Sequence, residues 1–458
     1  MNKYIYSVLV LVVLLTSCDK YLDVTPKGVR LLQTIGDYDS WLNNVEVEYS
    51  TPPLLNQFDD HKDLPNISTS LSSTNEKMYV WQPQFVETVP GTAVLWANYY
   101  KTIYLFNTVV NNADNAIDGT DQDKRRLKAE GLLGRAFEYL SLVNLYAKPY
   151  NPATANTDLA VPFVTSIDVT DDTPPRASVQ ELYNHIISDI NTAIPDLPKD
   201  NASNRFRGSK AAGYATLART YLFMGNYTKA AEYAQLALNN GPNVIVDYGT
   251  LTDATGIAQV MKRPDAIYAR LGGTAYLTTE IPTLDFLKSF DTKDLRLKFW
   301  YRGTGDYSFT ARGQAVFQHS GIPAGLSNAS PNWGISVAEM HMILAESAAR
   351  TNDLAKACDE LDQLRKKRFL AVNYQKFTSN DKDVVLNKIF SERSFEFAFC
   401  GMRWFDMRRL NAEGKMPAVN RYNGTGGLVA TLAPGSDRYV LRIPLQVMYF
   451  NPSWQQNP

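Results

Sequence analysis

Cysteine is scarce in this sequence, whose 458 residues contain only Cys18, Cys358 and Cys400. Three thiols cannot supply the disulfide framework that stabilises many small secreted domains. The formal net charge of −1 argues against nucleic-acid binding, which requires a basic face, and it gives no reason to expect electrostatic attachment to anionic lipid. Long apolar runs are also missing after Cys18, where no stretch reaches the roughly 20 residues of a membrane-spanning helix. We therefore expect the chain beyond Cys18 to be soluble.

Histidine is equally sparse, and the motifs of the common catalytic and metal centres are missing. The four histidines have neither His-x-x-x-His nor Cys-x-x-Cys neighbours: His61, His185, His319 and His341. No Gly-x-Ser-x-Gly elbow or glycine-rich phosphate loop occurs in the sequence. The acidic run Asp59–Asp63 could bind a hard cation, but it is more typical of a solvated loop or of contacts to sugar hydroxyls. We predict no catalytic residue, no metal ion and no cofactor.

The amino terminus has the layout of a secretory signal peptide. Lys3 supplies a positive charge, and residues 5–15 form an 11-residue apolar run that is too short for a permanent membrane span. Leu15-Thr16-Ser17 then precedes Cys18, an arrangement that resembles the lipobox of bacterial lipoproteins, in which the cysteine is lipidated. We predict a signal peptide at 1–17 and lipidation of Cys18. The alternative is an ordinary signal peptide with an incidental cysteine.

Apolar residues recur at spacings of three and four over several long segments, which is the pattern of amphipathic helices. This spacing predicts helices over 96–116 and 122–146, and a third between Ser178 and Pro195. Asp118-Gly119 ends the first of these helices, and the proline-rich stretch 149–152 ends the second. The sequence therefore predicts a mainly α protein.

The segment Ser209–Pro242 carries a repeat signature. Its large, small and turn residues fall where a tetratricopeptide unit of about 34 residues has them: Tyr214, Leu217, Ala218, Tyr221, Gly225, Tyr227, Ala230, Ala234, Ala237 and Pro242. The small residues allow two antiparallel helices to approach closely, and Gly225-Asn226 makes the turn. A looser copy spans His341–Arg365. Because the copies are far apart in the chain, we predict helix pairs interrupted by long insertions, not a regular solenoid.

Two long segments, 31–90 and 243–332, lack helical periodicity and are rich in aromatic residues. The second also holds short β-prone runs such as Val244-Ile245-Val246. The whole chain contains 26 Tyr, 20 Phe and 7 Trp. Outside helices, Tyr and Trp join an apolar face to a polar group and suit binding surfaces. Loops of this length in a compact protein are usually functional, so we expect them to recognise ligand.

Motifs along nearly the whole chain, in the right order, resemble those of the SusD/RagB family of surface lipoproteins from Bacteroidota-type bacteria. The likeness begins at Cys18–Pro26 and continues through the helix that starts at Trp96 and the helix around Ala129-Glu130. It is most specific near the carboxyl terminus: 335–340, 344–346, 364–368, Glu392-Arg393, Glu396, 401–406, Arg409, 443–444, 451–452 and 456–458. One departure is Cys400, where the family typically has Glu before the glycine.

The resemblance implies a mainly helical scaffold of tetratricopeptide-like pairs with long irregular loops and minor β structure. It implies one unit over 18–458, made of an amino-terminal half at 18–240 and a carboxyl-terminal half at 241–458. Family members sit on the outer membrane, lipid-anchored and facing outward. They lie above a SusC-like TonB-dependent transporter and capture oligosaccharides, or in some cases peptides, for import without cleaving them.

Glu392 and Glu396 stand one helical turn apart, and a pair of carboxylates suggests glycoside hydrolysis. Hydrolases, however, place their two carboxylates across a cleft, whereas these alternate with arginines on one helix. Ion pairing within and between helices is the simpler interpretation, since Arg393 lies between the two glutamates and Arg403 and Arg409 follow closely.

A saccharide site needs an aromatic platform for the sugar's C–H face and polar groups for its hydroxyls. Trp81, Trp300 and Trp333 are the first platform candidates, because each falls in a loop-like segment. Tyr79, Tyr301 and Tyr307 come next, with the polar partners Asp60, Asn75 and Arg302. For each aromatic the alternative is packing under a loop, which we expect for Trp96 and Trp404. Oligopeptide binding, a surface glycosidase and a structural scaffold are the competing functions.

Overall fold

The computed structural model describes residues 32–272, 280–301, 307–315 and 331–458. These residues are mainly helical, with four two-stranded antiparallel sheets, which confirms the predicted fold class. The helices are α1 Ile35–Leu42, α2 Val45–Glu48, α3 Thr74–Tyr79, α4 Trp96–Asn112, α5 Asp121–Tyr146, α6 Val179–Ala193, α7 Lys210–Phe223, α8 Tyr227–Asn240, α9 Leu284–Lys288, α10 Val337–Arg350, α11 Leu354–Arg365, α12 Lys382–Glu396, α13 Arg403–Ala412 and α14 Leu445–Phe450. The paired strands are β1 Lys62–Asp63 with β5 Ile281–Pro282, β2 Leu159–Pro162 with β3 Arg176–Ser178, β4 Ala266–Tyr268 with β6 Ile335–Ser336, and β7 Val419–Tyr422 with β8 Leu428–Leu432.

The helix boundaries follow from local hydrogen bonding. At the start of α5, Thr120 accepts a hydrogen bond from the backbone N–H of Asp123, and the Asp123 carboxylate accepts one from the backbone N–H of Thr120. Ser178 and Glu181 make the same reciprocal pair at the start of α6. Each pair satisfies two backbone donors that a helix otherwise leaves free. The three helices predicted from periodicity are confirmed within a few residues.

Close approach of α4 and α5 depends on a missing side chain. A Cβ atom at Gly134 would lie 2.1 Å from the ring of Phe106, far inside van der Waals contact. The two helices therefore pack at a separation that only glycine permits at this position.

The two repeat copies form adjacent helix pairs. In the first, Gly225 takes a φ of +70° at the turn from α7 to α8, and the Asn226 side chain accepts from the backbone N–H of Lys229. In the second, Asn352 takes the same left-handed role at a φ of +67° between α10 and α11. Since α8 also packs against α10, the two pairs are neighbours in the fold although a long insertion separates them.

The long segments predicted to be irregular hold more local structure than expected. Thr34 and Ser73 form capping boxes that start α1 and α3 within the first segment. Val244–Val246, however, does not form a strand. The Val246 carbonyl instead accepts a 2.7 Å hydrogen bond from Nη1 of Arg368. A side-chain donor has replaced a strand partner at this carbonyl.

The two thiols beyond Cys18 do not pair. Cys358 and Cys400 are both buried and free. Burial raises the pKa of the Cys400 thiol, and its Sγ donates to the carbonyl of Phe397 at 2.9 Å. Both cysteines therefore act as small core side chains.

A buried arginine on β7 connects the carboxyl-terminal region to residues near the amino terminus. The Arg421 guanidinium lies 4.2 Å from the ring centroid of Tyr79 and 4.4 Å from that of Trp81. It donates to four backbone carbonyls, those of Gln57, Asp59, Lys62 and Tyr79, at 2.7–3.3 Å. Because these four residues are buried, the guanidinium takes the place of water as a donor to their carbonyls.

We expect Arg421→Met to lower the free energy of unfolding by about 3 kcal/mol or more, because several buried carbonyls would lose their donor. Urea denaturation measures this loss. Arg125→Met is the matched control, since Arg125 is 55% exposed and pairs with Asp196 at the surface. That change should cost about 1 kcal/mol at most. Equal losses in the two variants would contradict the role given to Arg421.

Candidate ligand-binding cleft at Trp300

Trp81 and Tyr79, two predicted platform residues, are buried at 3% and 1% exposure. Trp81 Nε1 donates to the carbonyl of Phe58 at 3.4 Å, and both rings pack on the Arg421 guanidinium. A ring enclosed in this way presents no face to a sugar. The prediction that these two residues contact ligand is corrected: they form the aromatic enclosure of a structural arginine.

Trp333 and Tyr301 are also buried, each at 2% exposure. Trp333 occupies space beside two glycines, where a Cβ atom would lie 2.4 Å from its indole at Gly272 and 2.9 Å at Gly401. Tyr301 packs edge-on to Phe290, with the ring centroids 5.7 Å apart. These rings belong to the core beneath the loops, which is the alternative that sequence alone could not separate from a platform.

Asp60 is held by an arginine and does not lie in a solvated loop. Arg403 donates to both of its carboxylate oxygens, at 2.8 and 2.7 Å. Asp59 beside it is 2% exposed, and Asp63 pairs with Arg312. Asn75 lies in α3 and is partly exposed. Of the remaining predicted residues, Cys18 and Arg302 fall outside the described ranges.

Electrostatics at Asp59, Asp60 and His61 oppose a bound cation, although their ligand atoms lie within 4.8 Å of one another. Burial raises the pKa of Asp59. Burial also acts to raise the pKa of Asp60, but Arg403 outweighs it and holds that pKa well below its usual range. Burial lowers the pKa of His61 to about 3. Arg403 and Arg421 already supply positive charge beside the two carboxylates, which disfavours a further cation at this place.

Of the three predicted tryptophan platforms, Trp300 is the one that stays accessible. It lies in a single turn of π-helix, Leu297–Tyr301, a local geometry that recurs at functional sites. The ring is partly exposed, and its Nε1 donates to the hydroxyl of Tyr248 at 3.2 Å. Tyr307 is also partly exposed and packs with Trp300 against the same cluster of phenylalanines around Phe286.

Trp300, Tyr248 and Phe299 form an aromatic wall, which contacts among buried side chains hold in place. Tyr248 stacks on Phe299 with centroids 4.5 Å apart, and the Arg368 guanidinium lies 4.1 Å from the Tyr248 ring. Arg368 in turn donates to both carboxylate oxygens of Glu396. Burial raises the pKa of Tyr248 to about 12, so its hydroxyl stays protonated. This chain of contacts orients Trp300 before any ligand arrives.

Polar groups line a narrow cleft of about 70 Å³ together with Trp300 and Tyr248. They include Asp265, Asn332 and Ser336, none of which the sequence had indicated. Burial raises the pKa of Asp265 above its usual value. Because ligand pockets usually exceed roughly 300 Å³, a ligand of that size could reach only the mouth of this cleft, at the partly exposed Trp300.

The comparisons with known proteins agree with this architecture. Residues 20–222 match the SusD-like_3 model, described as starch-binding associating with outer membrane, and residues 301–458 match the SusD_RagB model of the SusD family. The chain belongs to the SusD/RagB family. It is 26% identical over 375 residues to SusD-like protein P2 from Formosa agariphila, covering 69% of this chain and 71% of that protein. It is 22% identical over 450 residues to a SusD-like protein from Bacteroides ovatus, covering 85% and 79%.

Solved structures share the fold of this SusD/RagB protein. A SusD superfamily protein from Bacteroides thetaiotaomicron aligns with a TM-score of 0.72 at 20% identity, covering 93% of this chain and all of that one (100%). Surface glycan-binding protein A from Bacteroides uniformis aligns with a TM-score of 0.69 at 17% identity, covering 93% and 99%. Among the described residues, no helix combines the length and the apolar character that crossing a bilayer demands.

The carboxylates that suggested hydrolysis are occupied by arginines. Glu392 accepts from Arg296 at 2.7 Å and from Arg365 at 2.9 Å, while Glu396 accepts from Arg368. Burial alone would raise the pKa of Glu392, but Arg296, Lys388 and Arg365 outweigh it and lower that pKa to about 2. A glycosidase general acid needs the opposite shift. Glu392 and Glu396 are therefore members of a buried network of ion pairs.

This network makes stability depend on acidity. Because the folded-state pKa of Glu392 is depressed, its ionised form stabilises the fold. This contribution to the free energy of unfolding is present above the unfolded-state pKa near 4.3 and is lost as the pH falls toward the folded-state pKa of about 2. We expect Glu392→Gln to destabilise the protein by roughly 3 kcal/mol at pH 6 and by clearly less at pH 3. Urea denaturation at both pH values measures the difference. Asp437→Asn, at an exposed position, is the control and should leave the pH dependence unchanged. An equal loss at both pH values in Glu392→Gln would refute the assignment.

Proposed function

We propose that this SusD/RagB protein binds oligosaccharides at the cell surface without cleaving them and delivers them to a SusC-like TonB-dependent transporter. The family model is described as starch-binding and outer-membrane associated, which supports a surface role in glycan capture. Names of similar structures also support it, among them a SusD-like carbohydrate binding protein from Bacteroides vulgatus. The observation that carries the proposal is the oriented, partly exposed Trp300, which lines one cleft with Asp265 and Asn332.

The chemistry of such a site is stacking combined with hydrogen bonding. A sugar ring laid on Trp300 would place its apolar C–H face on the indole and its hydroxyl edge toward the polar wall. Asp265 can accept two hydroxyl hydrogen bonds when ionised, and Tyr307 extends the aromatic surface on the same cluster. Since the wall is held in place by Tyr248 and Arg368, little ordering would accompany binding.

Membrane attachment through lipid on Cys18 is the second part of the proposal. The sequence Leu15-Thr16-Ser17-Cys18 supports it, as does the outer-membrane association described for the family. Each buried CH₂ contributes about 0.8 kcal/mol, so more than one acyl chain on Cys18 would hold the protein durably at the membrane.

The proposal predicts that Trp300→Ala weakens oligosaccharide binding roughly tenfold, about 1.4 kcal/mol, because the stacking surface is lost. Affinity electrophoresis in gels containing starch, xylan or arabinan identifies the polysaccharide that retards the wild-type protein. Calorimetry with the corresponding hexasaccharide then gives the affinity. Trp300→Phe should keep most of it, because a ring remains. Chromatography of the incubated sugars should show no shortened products.

Tyr449→Ala is the matched control, since Tyr449 is 63% exposed and lies on α14. Its affinity should equal that of the wild type. Unchanged affinity in Trp300→Ala would remove Trp300 from the site. If the protein binds peptide mixtures and no polysaccharide, its ligand is a peptide and the proposed glycan function is wrong.

A further inference from the structure

A second groove lies away from Trp300, between α4 and the segment 163–174 that connects β2 to β3. Its volume of about 470 Å³ falls within the range of roughly 300–1,000 Å³ typical of small-molecule sites. The groove is about the size of a short saccharide, and it is larger than the cleft at Trp300.

Aromatic side chains form one wall of this groove. Tyr100 and Tyr104 stand one helical turn apart on α4, and Tyr104 is 43% exposed. Phe163, at the start of the segment 163–174, adds a third aromatic ring to the lining. Its ring stacks on His185 with centroids 4.1 Å apart and planes 4° apart. Beside them Val169 is 89% exposed. Tyr100 and Phe163 also pack on the core, so Tyr104 and Val169 supply most of the exposed surface of this wall.

The other wall is held rigidly by side chains from two helices. Tyr100 Oη donates to the carbonyl of Pro162 at 2.8 Å, and Asn107 Nδ2 donates to that of Val164 at 2.9 Å. The Tyr139 hydroxyl accepts from Val164 N at 2.7 Å and donates to Val164 O at 3.1 Å. Asn111 Nδ2 donates to the carbonyl of Thr165 at 2.8 Å. These bonds hold residues 162–165 in place, so a ligand would not have to order that part of the segment.

Charge in the groove has one sign. Asp168, Asp171 and Asp172 line it, and no lysine or arginine is among its described lining residues. Hydrogen bonds from Thr170 lower the pKa of Asp168, so this carboxylate is ionised at neutral pH. Arg135 lies behind Phe163, but its charge is taken up by a bidentate pair with Asp189 at 2.8 and 2.9 Å.

Carboxylates beside aromatic rings suit hydroxyl-rich ligands and oppose anionic ones. Each ionised oxygen accepts hydrogen bonds from hydroxyl groups, and the aromatic wall covers a sugar's C–H face. A uronic acid or sulfated sugar would instead bring like charges together, which costs binding energy.

We propose that the groove formed by Tyr104, Phe163 and Asp172 is a second saccharide-binding site, selective for uncharged sugars. It rests on the proposed glycan-binding function and specifies its ligand class. The site would hold a neutral stretch of the glycan chain at a place separate from Trp300.

Fluorine NMR of the full-length protein carrying 3-fluorotyrosine at position 104 tests the proposal. Maltohexaose, cellohexaose and xylohexaose serve as neutral probes, and hexagalacturonic acid serves as the anionic probe of equal length. At least one neutral probe should shift the signal at 104 saturably, whereas hexagalacturonic acid should not. Phe163→Ala should weaken that saturation about tenfold, and a label placed at Tyr449 should not respond.

The outcomes separate the two proposals. Calorimetric binding of a neutral hexasaccharide with no shift at 104 would overturn the groove and leave glycan binding at Trp300 intact. A shift with hexagalacturonic acid equal to that with neutral probes would overturn the charge selectivity. Failure of the wild type to bind any polysaccharide or hexasaccharide would overturn both.

Discussion

A guanidinium group buried in a protein needs acceptors on every side, and this requirement fixes how distant segments of the chain meet. Arg409 on α13 reaches the buried Glu346 on α10 with two hydrogen bonds, at 2.6 and 2.9 Å. Arg403 at the start of α13 reaches Asp60, and Arg421 reaches carbonyls of the same amino-terminal segment. Removing one partner leaves a buried charge or carbonyl unsatisfied, at a cost of several kcal/mol. The helix pairs and the long loops are therefore held in one arrangement, because alternatives would break these pairs.

This framework explains why acidic residues with the spacing of catalytic groups have a structural role in this protein. Glu392 and Glu396 are surrounded by arginines that hold them ionised, so neither can act as a proton donor near neutral pH. In our proposal, side chains at the margins of the framework recognise the ligand. Trp300 stands on a π-helical turn, and Tyr104 stands on the outer face of α4. A solved structure with 20% identity shares the fold at a TM-score of 0.72, so the framework persists although most of the sequence differs.

The aromatic residues illustrate where sequence reasoning fails. Trp81, Trp300 and Trp333 look alike in the sequence, since each lies in a non-periodic segment. Trp81 is enclosed because its ring packs on the buried Arg421, and Trp333 because Gly272 and Gly401 leave room for its indole. Only Trp300, of these three, keeps an exposed edge. The second groove was missed for a related reason: Tyr104 lies off the apolar stripe of its helix, and its carboxylate partners come from a loop more than 60 residues further along.

Periodicity, capping residues and the repeat signature determined the helices and the pairing of α7 with α8, because these depend on neighbours a few residues apart. Ordered motifs likewise pointed to the SusD/RagB family, since they record which residues the framework requires. The tertiary structure alone decided that α8 packs against α10, that Cys358 and Cys400 stay apart, and which aromatic rings reach the surface. These features depend on residues far apart in the chain, and burial is a property of the folded whole that no local pattern contains.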